Sequence, residues 1–121
     1  MTKEDLLKRT KSFSVRIVKM VRSLDPDFAT KVLMGQIIRS GTSGGANYRA
    51  ACIAKSGKDF INKLKIVEEE LDETIFWMEI LIDTGIIKKE KLSELMSEGQ
   101  ELFKIISRSI KTLKSKSLNS K

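Results

Sequence analysis

Histidine is absent from this sequence of 121 residues, and cysteine, proline, tryptophan and tyrosine each occur only once. Without histidine, the Ser-His-Asp and Cys-His catalytic arrangements are excluded, as are the Glu-x-x-His ligands of di-iron bundles. The single Cys52 cannot form an internal disulfide, a zinc site or a Cys-x-x-Cys pair, and it fits a reducing compartment. The glycines at 41–45 lack the Gly-Lys-Ser/Thr ending of a phosphate-binding loop. We therefore predict no enzymatic activity, no metal and no cofactor.

Long apolar runs are also missing. No stretch approaches the ~20 residues that a membrane-spanning helix needs, and MTKEDLLKRTKS at the start has no signal-peptide core. Hydrophobic residues make up 40% of the chain and charged residues 32%, which suits a folded domain rather than a disordered chain. We expect residues 1–121 to form a single cytoplasmic domain without a membrane partner, ordered over about 3–114, with a frayed basic tail over 115–121.

Charge is distributed unevenly along the chain. The formal net charge is +7, but residues 1–58 carry +8, residues 59–101 carry −7 and residues 102–121 carry +6. Basic ends that flank an acidic middle indicate either that helices pair by charge within the fold or that one surface attracts an anionic partner.

Apolar residues recur every three or four positions in four segments, which predicts four amphipathic helices. Their expected bounds are about 3–24, 28–54, 57–84 and 88–113, with Thr2 and Ser56 as N-caps of the first and third. None of these helices can bury its apolar face alone, and the links between them are short. The predicted fold is therefore an all-α, antiparallel, up-down-up-down four-helix bundle.

The second helix carries the main ambiguity. Phe28, Val32, Gly35 and Ile38 are expected to begin its buried face. The glycine-rich segment at 40–47 then allows two interpretations. It is either a loop, which would give five helices, or a continuous helix whose small residues let a neighbouring helix approach closely.

A polar network is predicted between the second and third helices. Glu69 and Glu73 are four residues apart and share a helical face. We expect them to meet Arg39 and Arg49, with Asn47 between, in a partly buried network that fixes helix register. The alternative for the acidic cluster is a solvated helix face.

Basic residues form stripes on the first and fourth helices. Such stripes attract phosphate backbones and hold them with salt-sensitive affinity. The alternatives are a solubilising surface or a match for the acidic third helix. No recognition-helix or stacking signature is present, so contact is expected with backbone or shape. The candidate residues are Lys8, Lys11, Arg16, Lys19, Arg22, Lys104, Arg108 and Lys111.

A second apolar surface is predicted on the third helix, away from its main apolar stripe. Phe76 and Trp77 lie there, and they are candidates for a subunit interface. The alternative is that they extend the core.

The segment QIIRSGTSGGANYRAA, residues 36–51, resembles the signature of the bacterial "four helix bundle protein" family. That family is also called the intervening-sequence protein family, after reading frames within inserts in large-subunit ribosomal RNA genes. KDFINKL from Lys58, VEEE from Val67 and DET from Asp72 fit the same pattern, and the resemblance covers roughly residues 5–115. It favours a continuous second helix. One departure is Gly44, where the family usually has Ile, and its loss of a β-branched residue is expected to loosen the helix.

The resemblance implies a four-helix bundle that often assembles as a ring-like homopentamer. A related branch, the accessory protein of diversity-generating retroelements, binds nucleic acid and partners a reverse transcriptase. The acidic third helix means that this role does not transfer automatically. The expected function is a non-catalytic oligomeric scaffold that binds RNA, DNA or a nucleoprotein, with a reverse transcriptase-like protein as one candidate partner. The alternative is a protein–protein adaptor with no nucleic-acid role.

Overall fold

Four α-helices account for nearly all of the computed structural model, which describes residues 1–119, with side chains through Lys116. The helices are α1 (Lys3–Arg22), α2 (Phe28–Cys52), α3 (Gly57–Asp83) and α4 (Lys89–Asn119), and no strand occurs within the described range. The predicted all-α class and helix number are confirmed.

The helix boundaries follow from local capping chemistry. The side chains of Thr2, Asp27 and Ser56 each accept a hydrogen bond from the backbone N–H three residues further on, as N-cap side chains do. Asp5 completes a capping box with Thr2, and the hydrogen bonds from Thr2 hold the pKa of Asp5 below its ordinary value. Gly85 follows α3 with φ of 75°, a left-handed conformation that glycine adopts without strain.

The second helix runs without interruption through its glycine-rich segment, so the continuous interpretation is confirmed. Two of its glycines allow α1 to pack closely. A Cβ atom at Gly41 would lie 2.7 Å from Cγ2 of Ile17, and one at Gly45 would lie 2.9 Å from Oγ of Ser14. Ser14 also donates a hydrogen bond to the carbonyl oxygen of Gly41 at 2.8 Å. A larger residue at Gly41 or Gly45 would therefore prevent α1 from approaching α2 this closely.

The predicted start of the buried face of α2 was wrong. Phe28 is 86% exposed, Val32 is 55% exposed, and Gly35 and Ile38 are also exposed. The buried positions instead carry mostly small or polar side chains: Thr30, Ile37, Ser40, Gly41, Gly44, Tyr48 and Ala51. The physical reason is close helix packing, because α2 lies against both α1 and α3 and small residues let all three backbones approach.

The core otherwise follows the predicted apolar stripes of α1, α3 and α4. Its fully buried side chains include Ile17, Leu64, Met78 and Leu102. Between α2 and α3 the core also contains a polar contact, in which the hydroxyl groups of Thr74 and Ser40 are hydrogen-bonded at 2.9 Å. Thr74 additionally donates to the carbonyl oxygen of Glu70 at 2.7 Å, so no hydroxyl is left unpaired there.

The fourth helix is longer than predicted. It continues past Leu113 to Asn119, beyond the predicted end of the helix. Residues 114–119 contain neither glycine nor proline, and nothing in that stretch stops a helix. The remaining part of the predicted tail, residues 120–121, lies outside the described residues.

The helices pack in chain order. Contacts are extensive between α1 and α2, between α2 and α3, and between α3 and α4, whereas those between α1 and α4 are few. Within residues 1–119, no helix is long and apolar enough to cross a membrane.

Candidate nucleic-acid interface

A cavity at one end of the bundle brings together parts of all four helices. It has a volume of about 450 Å³. The start of α1, the end of α2, the start of α3 and the second half of α4 line it, through residues that include Lys3, Tyr48, Phe60 and Arg108. At the opposite end, a second cavity is lined by the links α1–α2 and α3–α4, including Asp25, Asp27 and Lys88. The two ends therefore draw on different segments of the chain.

These segments differ sharply in charge. Residues 1–11, 47–65 and 104–116 contain 14 Lys or Arg and only 3 Asp or Glu. Residues 12–46 and 66–103 contain 8 Lys or Arg and 13 Asp or Glu. We call the end formed by the first set the basic end. Its excess of cations produces a positive potential that the rest of the bundle does not share.

Five of the eight predicted nucleic-acid-binding residues belong to the basic end. All five are exposed, and Arg108 lines the end cavity. None makes an ion pair with a described residue, so the structure leaves their charge available to an anion. They are Lys8, Lys11, Lys104, Arg108 and Lys111.

The other three predicted residues lie elsewhere. Arg16 is half-buried beside Glu94, Glu98 and Glu101, whose carboxylates oppose the binding of a phosphate there. Lys19 and Arg22 are exposed in the last turns of α1, which run toward the opposite end. Lys8, Lys11, Lys19 and Arg22 are thus all exposed on α1, whereas Arg16 lies against the acidic first half of α4.

Arg9 forms an ion pair between α1 and α4. Its guanidinium donates hydrogen bonds to both carboxylate oxygens of Glu98, at 3.1 and 2.6 Å, and lies 3.4 Å from Glu101. The hydrogen bonds with Glu98 raise the pKa of Arg9 above its ordinary value. This contact neutralises Arg9, so the sequence count overstates the free charge of α1 by one.

The predicted network between α2 and α3 is partly wrong. Arg39 does pair with Glu73, and it also pairs with Glu70 at 3.2 Å, while Glu69 is exposed on another side of α3. Glu70 and Glu73 are three residues apart and both project toward α2, which a spacing of three permits as well as a spacing of four. Arg39 is half exposed, so the cluster lies at the surface.

Asn47 and Arg49 take no part in that cluster. Asn47 donates to the carbonyl oxygen and the hydroxyl of Ser43, one turn earlier in α2. Arg49 points to the other side of α2, where it and Lys11 border a groove of about 500 Å³ between α1 and α2. Arg49 therefore adds a cation to the basic end rather than to the acidic helix.

Phe76 and Trp77 differ in their surroundings. Phe76 is 51% exposed, as expected of an interface residue, and its ring meets that of Trp77 edge-to-face at 5.1 Å between centroids. Trp77 packs against the core, and its Nε1 is buried without a hydrogen-bond partner. The prediction that both residues share one exposed surface is corrected, because Trp77 belongs to the core margin.

A family model for the 23S rRNA-intervening sequence protein matches residues 2–108. The chain belongs to this family. It is also similar to a solved structure, a protein of unknown function from the S23 ribosomal protein family of Bacteroides thetaiotaomicron VPI-5482. The two chains are 39% identical, the similarity covers 92% of this chain and 99% of that one, and the TM-score is 0.85. Comparison with curated proteins gives no match.

The segment that resembles the signature of the 23S rRNA-intervening sequence protein family lies at the centre of the helix packing. Gly41 and Gly45 face α1, whereas Ser40 and Gly44 face α3. Gly44 leaves α2 helical, so the loss of Ile at this position does not interrupt the helix. In this member of the family the small residues of the segment thus serve helix packing, and Arg49 near its end contributes one cation to the basic end.

Several residues of the basic end were missed by sequence reasoning, although they could have been found. Lys3, Phe60 and Arg49 belong to three different helices and share no motif. The signal in the sequence was that the basic segments occur at the start of the first helix, around the link between the second and third helices, and in the second half of the fourth helix. In the up-down-up-down order that the sequence predicts, the basic segments of the chain would fall at the same end of the bundle.

Tyr48 provides a test of the packing beneath the end cavity. It is 2% exposed, and burial, with Cys52 nearby, raises its pKa to about 12. The protonated phenol is favoured in the folded state. This contribution to stability is therefore complete below the ordinary pKa near 10 and is lost as the pH rises toward 12.

Raising the pH from 9 to 11 should lower the free energy of unfolding of the parent protein more than that of a Tyr48→Phe variant. The expected difference at pH 11 is about 1 kcal/mol. Urea unfolding of both proteins at each pH measures this difference in the free energy of unfolding. The lysines titrate equally in both proteins, so their effect cancels in the comparison. Parallel pH profiles for the two proteins would show that the phenol is solvated and ionises freely.

Proposed function

We propose that this protein is a non-catalytic scaffold that binds nucleic acid or a nucleoprotein through its basic end. The observation that supports this proposal is the segregation of charge, with 14 cations against 3 carboxylates in the segments that meet at that end. Five exposed cations there make no ion pair with a described carboxylate. Unneutralised lysine and arginine side chains bind phosphates by releasing condensed counterions.

The arrangement favours recognition of backbone rather than of sequence. Lys104, Arg108 and Lys111 follow helical spacing on the exposed side of α4, which suits a row of phosphates. RNA and DNA both present such rows, and the proposal includes both. A reverse transcriptase-like partner remains an expectation from the resemblance.

The proposal includes an assembly and a location. The grouping of helix ends around the two end cavities supports the antiparallel, up-down-up-down order of a single domain. We propose a homo-oligomer in the cytoplasm, with the basic ends of several copies combining into a larger positive surface. A multivalent surface would raise affinity for a long polyanion without new contacts within each copy.

A salt titration tests the central proposal. We expect the protein to bind a fluorescent single-stranded oligonucleotide in 50 mM salt and to lose on the order of 10²-fold in affinity by 200 mM, as expected for about four phosphate contacts. Fluorescence anisotropy measures this. Absence of binding to either RNA or DNA at low salt would remove the nucleic-acid function.

A second candidate function, a protein–protein adaptor, is favoured by a different observation. The packed pair α2 and α3 exposes several large apolar side chains to solvent, namely Phe28, Val32, Ile66 and Phe76. Exposed aromatic and aliphatic side chains are enriched at protein interfaces. The same residues could hold copies of this chain together or bind another protein.

We expect Phe76→Ser to reduce the mass of the oligomer, because it removes an exposed aromatic contact without opening the core. Light scattering with size-exclusion chromatography measures the mass. Val15→Ser is the control, since Val15 is 44% exposed on α1, away from α2 and α3. An unchanged mass for Phe76→Ser would assign this surface to another protein or to solvent.

A further inference from the structure

We propose that the cavity at the basic end holds an unpaired nucleobase of the bound nucleic acid. This inference rests on the proposed function and specifies which part of the ligand enters the protein. The cavity has a volume of about 450 Å³, within the range of pockets that hold small molecules. It opens among the cations of the basic end.

The cavity is lined mainly by apolar side chains, with Thr2, Ser109 and Thr112 as polar lining residues. Leu6, Tyr48 and Leu64 are buried, and Phe60, Ile105 and Leu113 are half-buried. A phosphate alone would gain little from these six side chains, because most of them cannot replace the hydrogen bonds that it makes with water. The interior instead suits a flat ring, which buries apolar faces and keeps its polar edge at the opening.

The rim of the cavity is cationic. Lys3 on α1 and Arg108 on α4 line the opening, and neither makes an ion pair with a described residue. A ligand that fills the interior and pairs with these cations combines an apolar body with a neighbouring negative charge. A nucleotide within a strand has this combination, since its base is joined through the sugar to a phosphate.

Phe60 offers the ring on which the base would stack. The Nζ atom of Lys3 lies 5.2 Å from the centroid of Phe60, above its face, so an exposed lysine side chain covers this face. An incoming base takes that place, and Lys3 moves to the adjacent phosphate. Base–aromatic stacking tolerates any base, which agrees with recognition that is independent of sequence.

The base must be unpaired. In a duplex both faces of each base are stacked and its edge is paired, so only a single strand, a bulge or a strand end can insert a ring into the cavity. The protein should therefore prefer nucleic acid with unpaired bases, in addition to its electrostatic attraction to phosphates.

The test compares two oligonucleotides with equal numbers of phosphates, one carrying bases and one consisting of abasic sites. We expect the parent protein to bind the strand with bases about tenfold more tightly, because stacking of one base is worth roughly that factor. A 2-aminopurine in the first strand should change its fluorescence on binding. Phe60→Leu, which keeps the cavity apolar but removes the aromatic face, should reduce the preference to less than about threefold.

Phe103→Leu is the matched control, because Phe103 is also half-buried but lies outside the cavity lining. It should keep the tenfold preference, and circular dichroism checks that both variants fold. Equal binding of the two strands by the parent overturns the base site while leaving the basic end intact as a phosphate site. Failure of both strands to bind at low salt overturns the proposed function itself.

Two further outcomes would also overturn the base site. One is an equal loss of preference in Phe60→Leu and Phe103→Leu, which would place the discrimination outside the cavity. The other is binding of dodecanoate, an apolar anion, that depends on Phe60 while the two strands bind equally. That result would assign the cavity to an amphiphile.

Discussion

Replacement of Lys104, Arg108 and Lys111 by glutamate is expected to weaken nucleic-acid binding by on the order of 100-fold or more in 0.1 M salt. Each neutralised phosphate contributes about 0.9 to the slope of log affinity against log salt, which corresponds to about eightfold between 1 M and 0.1 M salt. Three lost contacts therefore multiply to several hundredfold, and the reversed charges repel the strand further. The salt slope should also decrease by about 3.

The control for this variant carries the same change in charge at the other end of the bundle. Lys88, Lys89 and Lys91 lie around the start of α4, and two of them line the opposite cavity. Their replacement by glutamate should alter affinity far less, since these positions lie away from the proposed contact. Anisotropy titrations at several salt concentrations give both affinity and slope. Equal losses in the two variants would indicate that net charge, rather than the basic end, governs binding.

Gly41→Ala is expected to destabilise the protein by about 1–3 kcal/mol, whereas Gly44→Ala should stabilise it by up to ~1 kcal/mol. Both glycines are buried in the same stretch of α2. A Cβ at Gly41 would lie 2.7 Å from a methyl carbon of Ile17, which is itself fully buried and has little room to move. A Cβ at Gly44 would meet Leu71 at 3.8 Å, an ordinary van der Waals distance.

The gain at Gly44 has two sources. Alanine lowers the entropy of the unfolded chain relative to glycine, and its methyl group adds apolar contact with Leu71. Thermal and urea unfolding measure both variants, and the difference between them removes the common effect of helix propensity. A stabilised Gly41→Ala variant would mean that α1 and α2 are farther apart than described.

Much of the fold could be predicted because its determinants are local. The hydroxyl of Thr2 caps the first helix within one turn, and the heptad-like stripes of α3 and α4 repeat without interruption. The face of α2 could not be predicted in this way. Exposed Phe28 and Val32 look like core residues on hydrophobicity alone, while the buried Ser40 and Gly41 look like loop residues. Their burial is decided by the distance to α1 and α3, which is a tertiary quantity.

The candidate site shows the same division between local and tertiary information. Individual basic residues such as Lys104 and Lys111 were predicted as a helical stripe, because their spacing is local. Glu69 was predicted as a partner of Arg39, whereas the observed partner is Glu70, one position further along α3. The two are hard to distinguish from sequence, because spacings of three and of four residues from Glu73 both lie on nearly the same helical face. The end cavity joins residues as far apart as Lys3 and Arg108, and no single-sequence pattern connects them.

The weak contact between α1 and α4 has a consequence for how the molecule opens. The helices form a succession of neighbouring pairs, and the contacts between the first and last members include the ion pair of Arg9 with Glu98 and the packing of Phe13 on Gly99. Partial unfolding should therefore begin with the separation of an outer helix, α1 or α4, which leaves the pair α2 and α3 intact as the most persistent unit. Because α1 and α4 both contribute to the rim of the end cavity, a strand bound across that rim would bridge this seam and slow its separation.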